Sequence, residues 1–135
     1  MKNLCVSLEL SKKLKGLRLP QVSQFWWVNL THHDYDGTEL YIQTKQELKL
    51  LENNHDVEIL ASAFLSDELL RWLPDDIDGC GLMIWKSRNY YTVEYYDIKS
   101  EKCIQSIHSD ALQNALALML IYLLEHNLLK VEGLR

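Results

Sequence analysis

A strongly apolar segment near the end of the chain, residues 110–127, constrains the fold more than any other part of the sequence. Its apolar positions recur at steps of three and four residues, which places them on one side of an α-helix. These positions are Leu112, Ala115, Leu116, Met119, Leu120 and Leu123. Ile121, Tyr122 and Leu124 widen the apolar side, so the sequence predicts a helix that other elements cover on more than one side. Its polar ends leave a run shorter than the roughly 20 apolar residues of a membrane span.

Both ends of this helix carry capping patterns. Asp110 is followed three residues later by Gln113, which is the spacing of a capping box that binds the free amide groups of the first turn. His126 and Asn127 mark the other end, since asparagine tolerates the left-handed backbone that ends many helices. The sequence therefore predicts a helix that begins after Asp110 and ends near Asn127.

Charge is unevenly distributed along the chain. Residues 1–20 hold a surplus of four positive charges, the remainder carries nine more acids than bases, and the net charge is −5. A body this acidic repels a phosphate backbone, which argues against nucleic acid as a main partner. The alternative role of the lysines is the solvated side of an N-terminal helix from Leu8 to about Leu17. Ser7 would cap this helix, and Leu10 and Leu14 would face the core with Leu17.

Length and composition predict one globular domain over residues 1–135, because 47% apolar and 24% charged residues are ordinary values for a folded protein. Cys5, Cys80 and Cys103 lack paired spacing, which predicts reduced thiols in a cytoplasmic protein. The first residues do not resemble a signal peptide.

Between the terminal helices the pattern predicts strands and one short helix. The predicted strands are residues 24–30, 39–43, 81–87, 90–97 and 102–108. Asp36-Gly37 indicates a hairpin turn between the first two strands. A short helix over residues 67–73 has Ser66 as its cap and Pro74 as its stop, whereas residues 45–56 are polar and ambiguous. The sequence thus predicts an α+β fold: an antiparallel sheet of about five strands with the N- and C-terminal helices packed on one face.

The hairpin around Arg88-Asn89 fixes which side chains of its two strands share a face. An even loop sorts them into two sets, and an odd loop would break the sorting. The predicted core set is Leu82, Ile84, Tyr91, Val93 and Tyr95, and the opposite set is Met83, Trp85, Tyr90, Thr92, Glu94 and Tyr96. The second set mixes aromatic area with polar groups, as interfaces do, so Trp85, Tyr90 and Tyr96 form a candidate partner face. The alternative is that these rings cover the sheet without any partner.

Two segments resemble metal sites and fail on geometry. His32 and His33 are adjacent, so on a strand they point to opposite faces and do not share an ion; a hairpin end is the better interpretation. The aspartates within residues 75–79 are similar to a calcium loop, yet Pro74 and Trp85 stand where its strongest ligands belong. These acids are better explained as the solvated residues of a helix-to-strand turn.

The cysteines carry no catalytic or zinc motif. Cys103 and His108 would need Cys5 or Cys80 to form a zinc site, and no paired-cysteine spacing supports one. Cys80 lies between two glycines, and His108 or His55 would have to serve as its base, but nothing in the sequence brings them together. No catalytic residue, metal or cofactor is therefore predicted.

Several blocks of the chain are similar to a family of small uncharacterised proteins encoded by phages, prophages and related mobile elements. The blocks are residues 6–15, residues 21–28 (QVSQFWWV), Ala63-Phe64, Glu68-Leu69, Leu73-Pro74, residues 119–125 and Asn127-Leu128. The chain departs from the family at Leu116 and Leu118, where basic residues are more usual, and at residues 16–20, where an acidic turn is more usual. The resemblance implies a mobile-element origin and no particular activity.

Two classes of function follow from these observations. The favoured one is a non-enzymatic accessory protein that binds a protein partner or a second copy of itself as a homodimer. The alternative is a small-molecule binder or an enzyme with a pocket between sheet and helices. A closed polar pocket containing Cys80 or a histidine would favour the alternative, whereas a flat aromatic surface would favour the interaction protein.

Overall fold

The computed structural model describes residues 3–30, 39–44, 46–47 and 57–134. The α-helices are α1 (Leu8–Gly16), α2 (Ser66–Leu70) and α3 (Leu112–Glu125). The strands are β1 (Phe25–Leu30), β2 (Glu39–Thr44), β3 (Val57–Ser62), β4 (Asp76–Ile77), β5 (Cys80–Lys86), β6 (Tyr91–Tyr96) and β7 (Cys103–Ser109). A short 3₁₀ helix, Val131–Gly133, follows α3.

All strand pairs are antiparallel, and they form two sheets. One sheet has three strands in the order β2-β1-β3, and the other has four in the order β4-β5-β6-β7. The predicted α+β class is confirmed, but the strands form two sheets in place of the single sheet that the sequence predicts. The sequence predicts fewer strands because β3 follows a stretch without clear periodicity, and because β4 contains only two residues. The turn predicted at Asp36-Gly37 lies outside the described residues.

The core is built around α3, as its sequence predicts. Ala115, Leu116, Met119, Leu120 and Leu123 are fully buried, and Ala117 and Ile121 are also buried. Strands β6 and β7 cover one side of the helix, while α1 and α2 pack against other sides. The apolar surface of α3 is wider than one stripe, and a half-exposed helix would leave part of that surface in water. Other elements therefore cover this helix on more than one side.

The predicted capping box at the start of α3 is wrong. The residue before the helix is Ala111, and the side chain of Gln113 donates instead to the carbonyl oxygen of Asn3 at 2.8 Å. Asn114 likewise accepts from the backbone N–H of Ser7 at 2.9 Å. The side chains of Gln113 and Asn114 therefore bind the backbone of the N-terminal segment, and Gln113 is not available for the predicted capping box.

The end of α3 agrees with the sequence prediction. Asn127 has a left-handed backbone, with φ of 57°. The N–H groups of Asn127 and Leu128 donate to the carbonyl oxygens of Leu124 and Leu123, respectively. These two hydrogen bonds satisfy carbonyl groups that the end of a helix leaves free, which is the usual reason for a left-handed residue there.

The N-terminal helix also begins and ends near its predicted bounds. Ser7 Oγ accepts from the Leu10 N–H at 3.4 Å and so caps α1, while Leu14 is fully buried. Lys13 forms an ion pair with Glu125 of α3 at 3.2 Å. Both side chains are exposed, so this pair contributes little to the free energy of unfolding.

The short helix α2 differs from its prediction at the start and at the end. Ser66 is the first helical residue, not the cap, and the helix ends at Leu70, before Pro74 is reached. The carboxylate of Glu68 accepts from the N–H of Leu65, the residue before the helix, at 2.9 Å. This is the hydrogen bond that the third helical residue supplies in a capping box, and it differs from the one expected of a capping serine.

Replacing Leu120 with alanine tests the packing of α3. Leu120 is fully buried, so the shorter side chain loses apolar burial and leaves a cavity. We expect the free energy of unfolding to fall by about 2 to 5 kcal/mol, measured by chemical denaturation. An unchanged denaturant midpoint would contradict the position of this helix.

Tyr95 makes the fold sensitive to alkaline pH. Its hydroxyl donates to the Pro74 carbonyl at 2.6 Å, and burial, with a smaller effect from the charge of Asp75, raises the pKa of Tyr95. The folded state thus holds this proton more strongly than the unfolded state does. Its contribution to stability is complete below the unfolded value of about 10 and declines as the pH rises beyond it.

We therefore expect Tyr95→Phe to change the pH dependence of stability. At neutral pH the variant should lose about 1 kcal/mol, because the Pro74 carbonyl loses its donor. Above about pH 10 its free energy of unfolding should fall less steeply than that of the parent. Denaturation curves between pH 7 and 11 measure this, and parallel profiles for the two proteins would contradict the argument.

Candidate functional site

The candidate site is the face of the four-stranded sheet that points away from α3, here called the outer face. Ser87 N–H donates to the Tyr90 carbonyl at 2.9 Å, which closes a turn with only Arg88 and Asn89 at its tip. The loop is therefore even, and the side chains sort onto two faces as predicted, but Ile84 of the predicted core set is 40% exposed. The outer face consists of Met83, Trp85, Tyr90, Thr92, Glu94, Tyr96, Ser106 and His108.

Alternation along β6 determines this arrangement. Val93 and Tyr95 point inward and are fully buried against the helices. Thr92, Glu94 and Tyr96 must then point outward, because successive side chains of a strand lie on opposite faces. The pairing of β6 with β5 and β7 extends the outer face across three strands. The core packing of α3 thus also fixes which side chains are presented outward.

The aromatic part of the outer face lies near the tip of the hairpin. Trp85 is 57% exposed and Tyr90 is 43% exposed, so both rings keep large areas in contact with water. The Tyr90 ring meets the ring of His108 edge-on, with centroids 5.3 Å apart. Tyr96 is only partly exposed. Of the three predicted partner-face residues, Trp85 and Tyr90 therefore offer more area than Tyr96.

The centre of the outer face is polar and nearly buried. Thr92 and Glu94 are 7% and 9% exposed, although both point away from the core. Ser106 Oγ donates to Glu94 Oε2 at 3.0 Å, and Thr92 Oγ1 lies 2.9 Å from His108 Nδ1. Both side chains are thus largely shielded from water although they lie on the face away from α3.

Glu94 is the site residue that the sequence analysis did not single out. It appears there only as one member of the outward set, with no role of its own. The sequence contains one indication that Glu94 is unusual: it is a carboxylate in the middle of an aromatic strand, between Thr92 and Tyr96. Met83 and Ser106 lie level with Glu94 in the flanking strands, and the sequence of β6 alone does not contain that information.

The three cysteines are free thiols, two buried and one exposed. Burial raises the pKa of Cys5, and burial together with the negative charge of Glu94 raises the pKa of Cys103. Both thiols are therefore protonated at neutral pH, the form that is a poor nucleophile and a poor metal ligand. Cys80 is buried, and its Sγ donates to the Lys102 carbonyl at 3.6 Å.

The described residues contain no cluster of three or more metal-ligating side chains. Asp78 and Gly79 both have positive φ, and they form the two-residue turn of the β4–β5 hairpin. Asp76 accepts from the Gly79 N–H at 3.2 Å. The aspartates of residues 75–79 thus shape a tight hairpin, not the helix-to-strand turn of the sequence analysis. His32, His33 and His55 lie outside the described residues.

Two pockets lie away from the outer face. The first has a volume of about 270 Å³ and is lined by Val22, Phe64, Glu68, Arg71 and Trp72. The second has a volume of about 560 Å³ and lies where α1 and α3 end; it is lined by Leu17, Arg18, Leu124, Asn127, Leu129, Lys130, Val131 and Glu132. Neither contains Cys80 or a histidine, so neither meets the condition stated for a small-molecule site.

The carboxylate in the first pocket, that of Glu68, forms hydrogen bonds within the fold. Glu68 Oε1 accepts from Ser23 Oγ at 2.8 Å and from the Leu65 N–H, and Oε2 accepts from the Gln24 N–H at 3.3 Å. Glu68 is only 9% exposed, so three donors replace the water that the carboxylate loses. The pocket is thus built around a satisfied structural group.

Comparison with known proteins finds no match to a family model, to a curated protein or to a solved structure. The resemblance to phage-encoded proteins stays a prediction. In the part of the chain that the structure describes, the helices are all too short or too polar to cross a bilayer.

Stability should not depend on metal or on a disulfide. The cysteines are unpaired and the described residues hold no metal-ligating cluster, so we expect the same melting temperature with and without chelator or reductant. Thermal unfolding followed by circular dichroism measures this. A large decrease with either reagent would show that the cysteines or histidines have a role that this interpretation omits.

Proposed function

We propose that this protein is a non-enzymatic interaction module, that it binds a protein through the outer face, and that its principal partner is a second copy of the chain. The observation that carries the proposal is the position of Trp85. A tryptophan 57% exposed on a sheet face, with Tyr90 43% exposed on the same face, presents a large apolar area to water. Trp and Tyr are the residue types most enriched at the energetic centres of protein interfaces.

The composition of the outer face supports a protein partner over a small ligand. Its aromatic rings lie next to hydrogen-bonding groups such as Thr92, Ser106 and His108. Interfaces combine apolar rings and polar groups in this way. The described pockets lie elsewhere, which is why we do not propose a small-molecule binder or an enzyme.

A second copy is favoured over a foreign protein because two-fold self-association is the commonest way in which a small protein covers such a face. Reduced cysteines support a cytoplasmic location. The acidic net charge of −5 supports a protein partner over a nucleic acid. The mobile-element origin implied by the sequence resemblance is part of the same proposal, and it adds no activity to it.

Replacing Trp85 with glutamate tests the proposal. The change removes the largest exposed ring and places a charge in the interface, while the inward-facing side chains stay unchanged. We expect the dimer dissociation constant to rise by at least about 30-fold, as for an interface hot spot. Sedimentation equilibrium from about 1 µM to 1 mM measures this constant over the range of a small interface.

Ile98→Glu is the matched control. Ile98 is 71% exposed in the turn after β6, outside the outer face, so the same kind of change should leave association unaltered. Circular dichroism must show that both variants are folded. A parent that is monomeric at the highest concentration would refute the homodimer, and a Trp85 variant that unfolds would place this residue among those needed for the fold.

A further inference from the structure

Glu94 is an under-paired carboxylate at the centre of the outer face. It is as buried as Glu68, at 9% exposed. Glu68 accepts three hydrogen bonds, whereas Glu94 accepts one, from Ser106 Oγ at 3.0 Å. No other group in the described part of the chain donates to the Glu94 carboxylate. A carboxylate has two oxygens that can each accept more than one hydrogen bond, so Glu94 can accept a further donor from outside this chain.

The same hairpin carries a cation without a carboxylate partner. Arg88 is exposed in the two-residue turn, and among the described residues the ion pairs are limited to Lys13 with Glu125. The neighbouring Lys86 differs, since its ammonium group lies 5.7 Å from the ring centroid of Tyr91 on the inward side. Arg88 is thus the cation of the hairpin tip that is free to reach across an interface.

The spacing of these two groups suits a two-fold arrangement. Glu94 lies level with Met83, and Arg88 follows Met83 by five residues along β5 and the turn. At about 3.4 Å per residue, the two groups are roughly 15 Å apart along the strand direction. Trp85, which is level with Thr92 and His108, lies close to the midpoint.

We infer that, in the self-association proposed above, Arg88 of each copy binds Glu94 of the other about a two-fold axis at the level of Trp85. The axis lies in the plane between the two outer faces and crosses the strands. It reverses the strand direction, so the hairpin tip of one copy lies over the centre of the other. Trp85 then meets Trp85 of the second copy at the axis, with one ion pair on each side.

This arrangement is self-complementary, as a two-fold interface must be. Each Glu94 carboxylate gains a charged donor, and each arginine gains an acceptor on a residue that is only 9% exposed. An arginine can donate two parallel hydrogen bonds to one carboxylate, which adds orientation to affinity. A foreign partner would need to present its own cation at the same distance from an apolar centre.

A double-mutant cycle tests the pairing. Arg88→Ala and Glu94→Gln should each weaken the dimer by about tenfold, and the double variant should be hardly weaker than either single one, because the two changes remove the same contact. Lys99→Ala, the same change of charge in the exposed turn after β6, is the control and should leave the dissociation constant unchanged. Sedimentation equilibrium measures all four proteins against the parent.

The outcomes separate this inference from the proposed function. A parent that is monomeric up to about 1 mM refutes both. A dimeric parent that Trp85→Glu dissociates, with effects of Arg88→Ala and Glu94→Gln that multiply in the double variant, refutes the ion pair alone. If Glu94→Gln fails to fold, Arg88→Glu compared with Lys99→Glu decides: equal dissociation constants refute the pairing, and a loss of more than about tenfold confined to Arg88→Glu supports it.

Discussion

Seven side chains of α3 are buried because β6 and β7 cover one side of the helix while α1 and α2 cover others. At roughly 1.5 to 3 kcal/mol for each large apolar side chain removed from water, this burial is a major source of stability for a domain of this size. It also orients the sheet. Once Val93 and Tyr95 pack against the helix, the intervening side chains of β6 have to form the outer face.

The elements that the sequence predicts are those that local patterns determine. The α3 periodicity and the Ser7 cap depend on residues close together in the chain, and both agree with the structure. The sequence left open whether the loop at Arg88-Asn89 is even or odd, and the structure shows that it is even. The capping box at Asp110 fails because Gln113 finds a partner in the distant N-terminal segment. The spacing of residues along the helix does not show that a distant segment will bind the Gln113 side chain.

The candidate site also has features that local sequence patterns predict and features that depend on distant parts of the chain. Alternation places Trp85 and Glu94 on one face, and that part of the site follows from the sequence. The difference between Glu68 and Glu94 does not, because it depends on donors contributed by Ser23, Gln24 and Leu65 to one carboxylate and by Ser106 alone to the other. Burial and hydrogen bonding of a charge are properties of the assembled fold.

The donors to Glu68 also connect the two sheets. Ser23 and Gln24 directly precede β1, and Glu68 lies in α2, which packs against α3, the helix that β6 and β7 cover. Trp27 of β1 adds a second link, since its indole N–H donates to the Val6 carbonyl at 3.0 Å. The three-stranded sheet is thus tied to the core by buried hydrogen bonds as well as by apolar contacts, which favours cooperative unfolding of both sheets.

The two-residue turn at Arg88-Asn89 has a consequence for how this sequence can evolve. Substitutions there leave the pairing of β5 with β6 intact, but inserting or deleting one residue would exchange inward and outward side chains along one of the two strands. Such a change would send Thr92 and Glu94 toward α3, or Leu82 toward water. Among descendants of this chain, turn length should therefore be preserved by selection on folding, whereas the pairing of the two strands does not constrain the identity of residue 88.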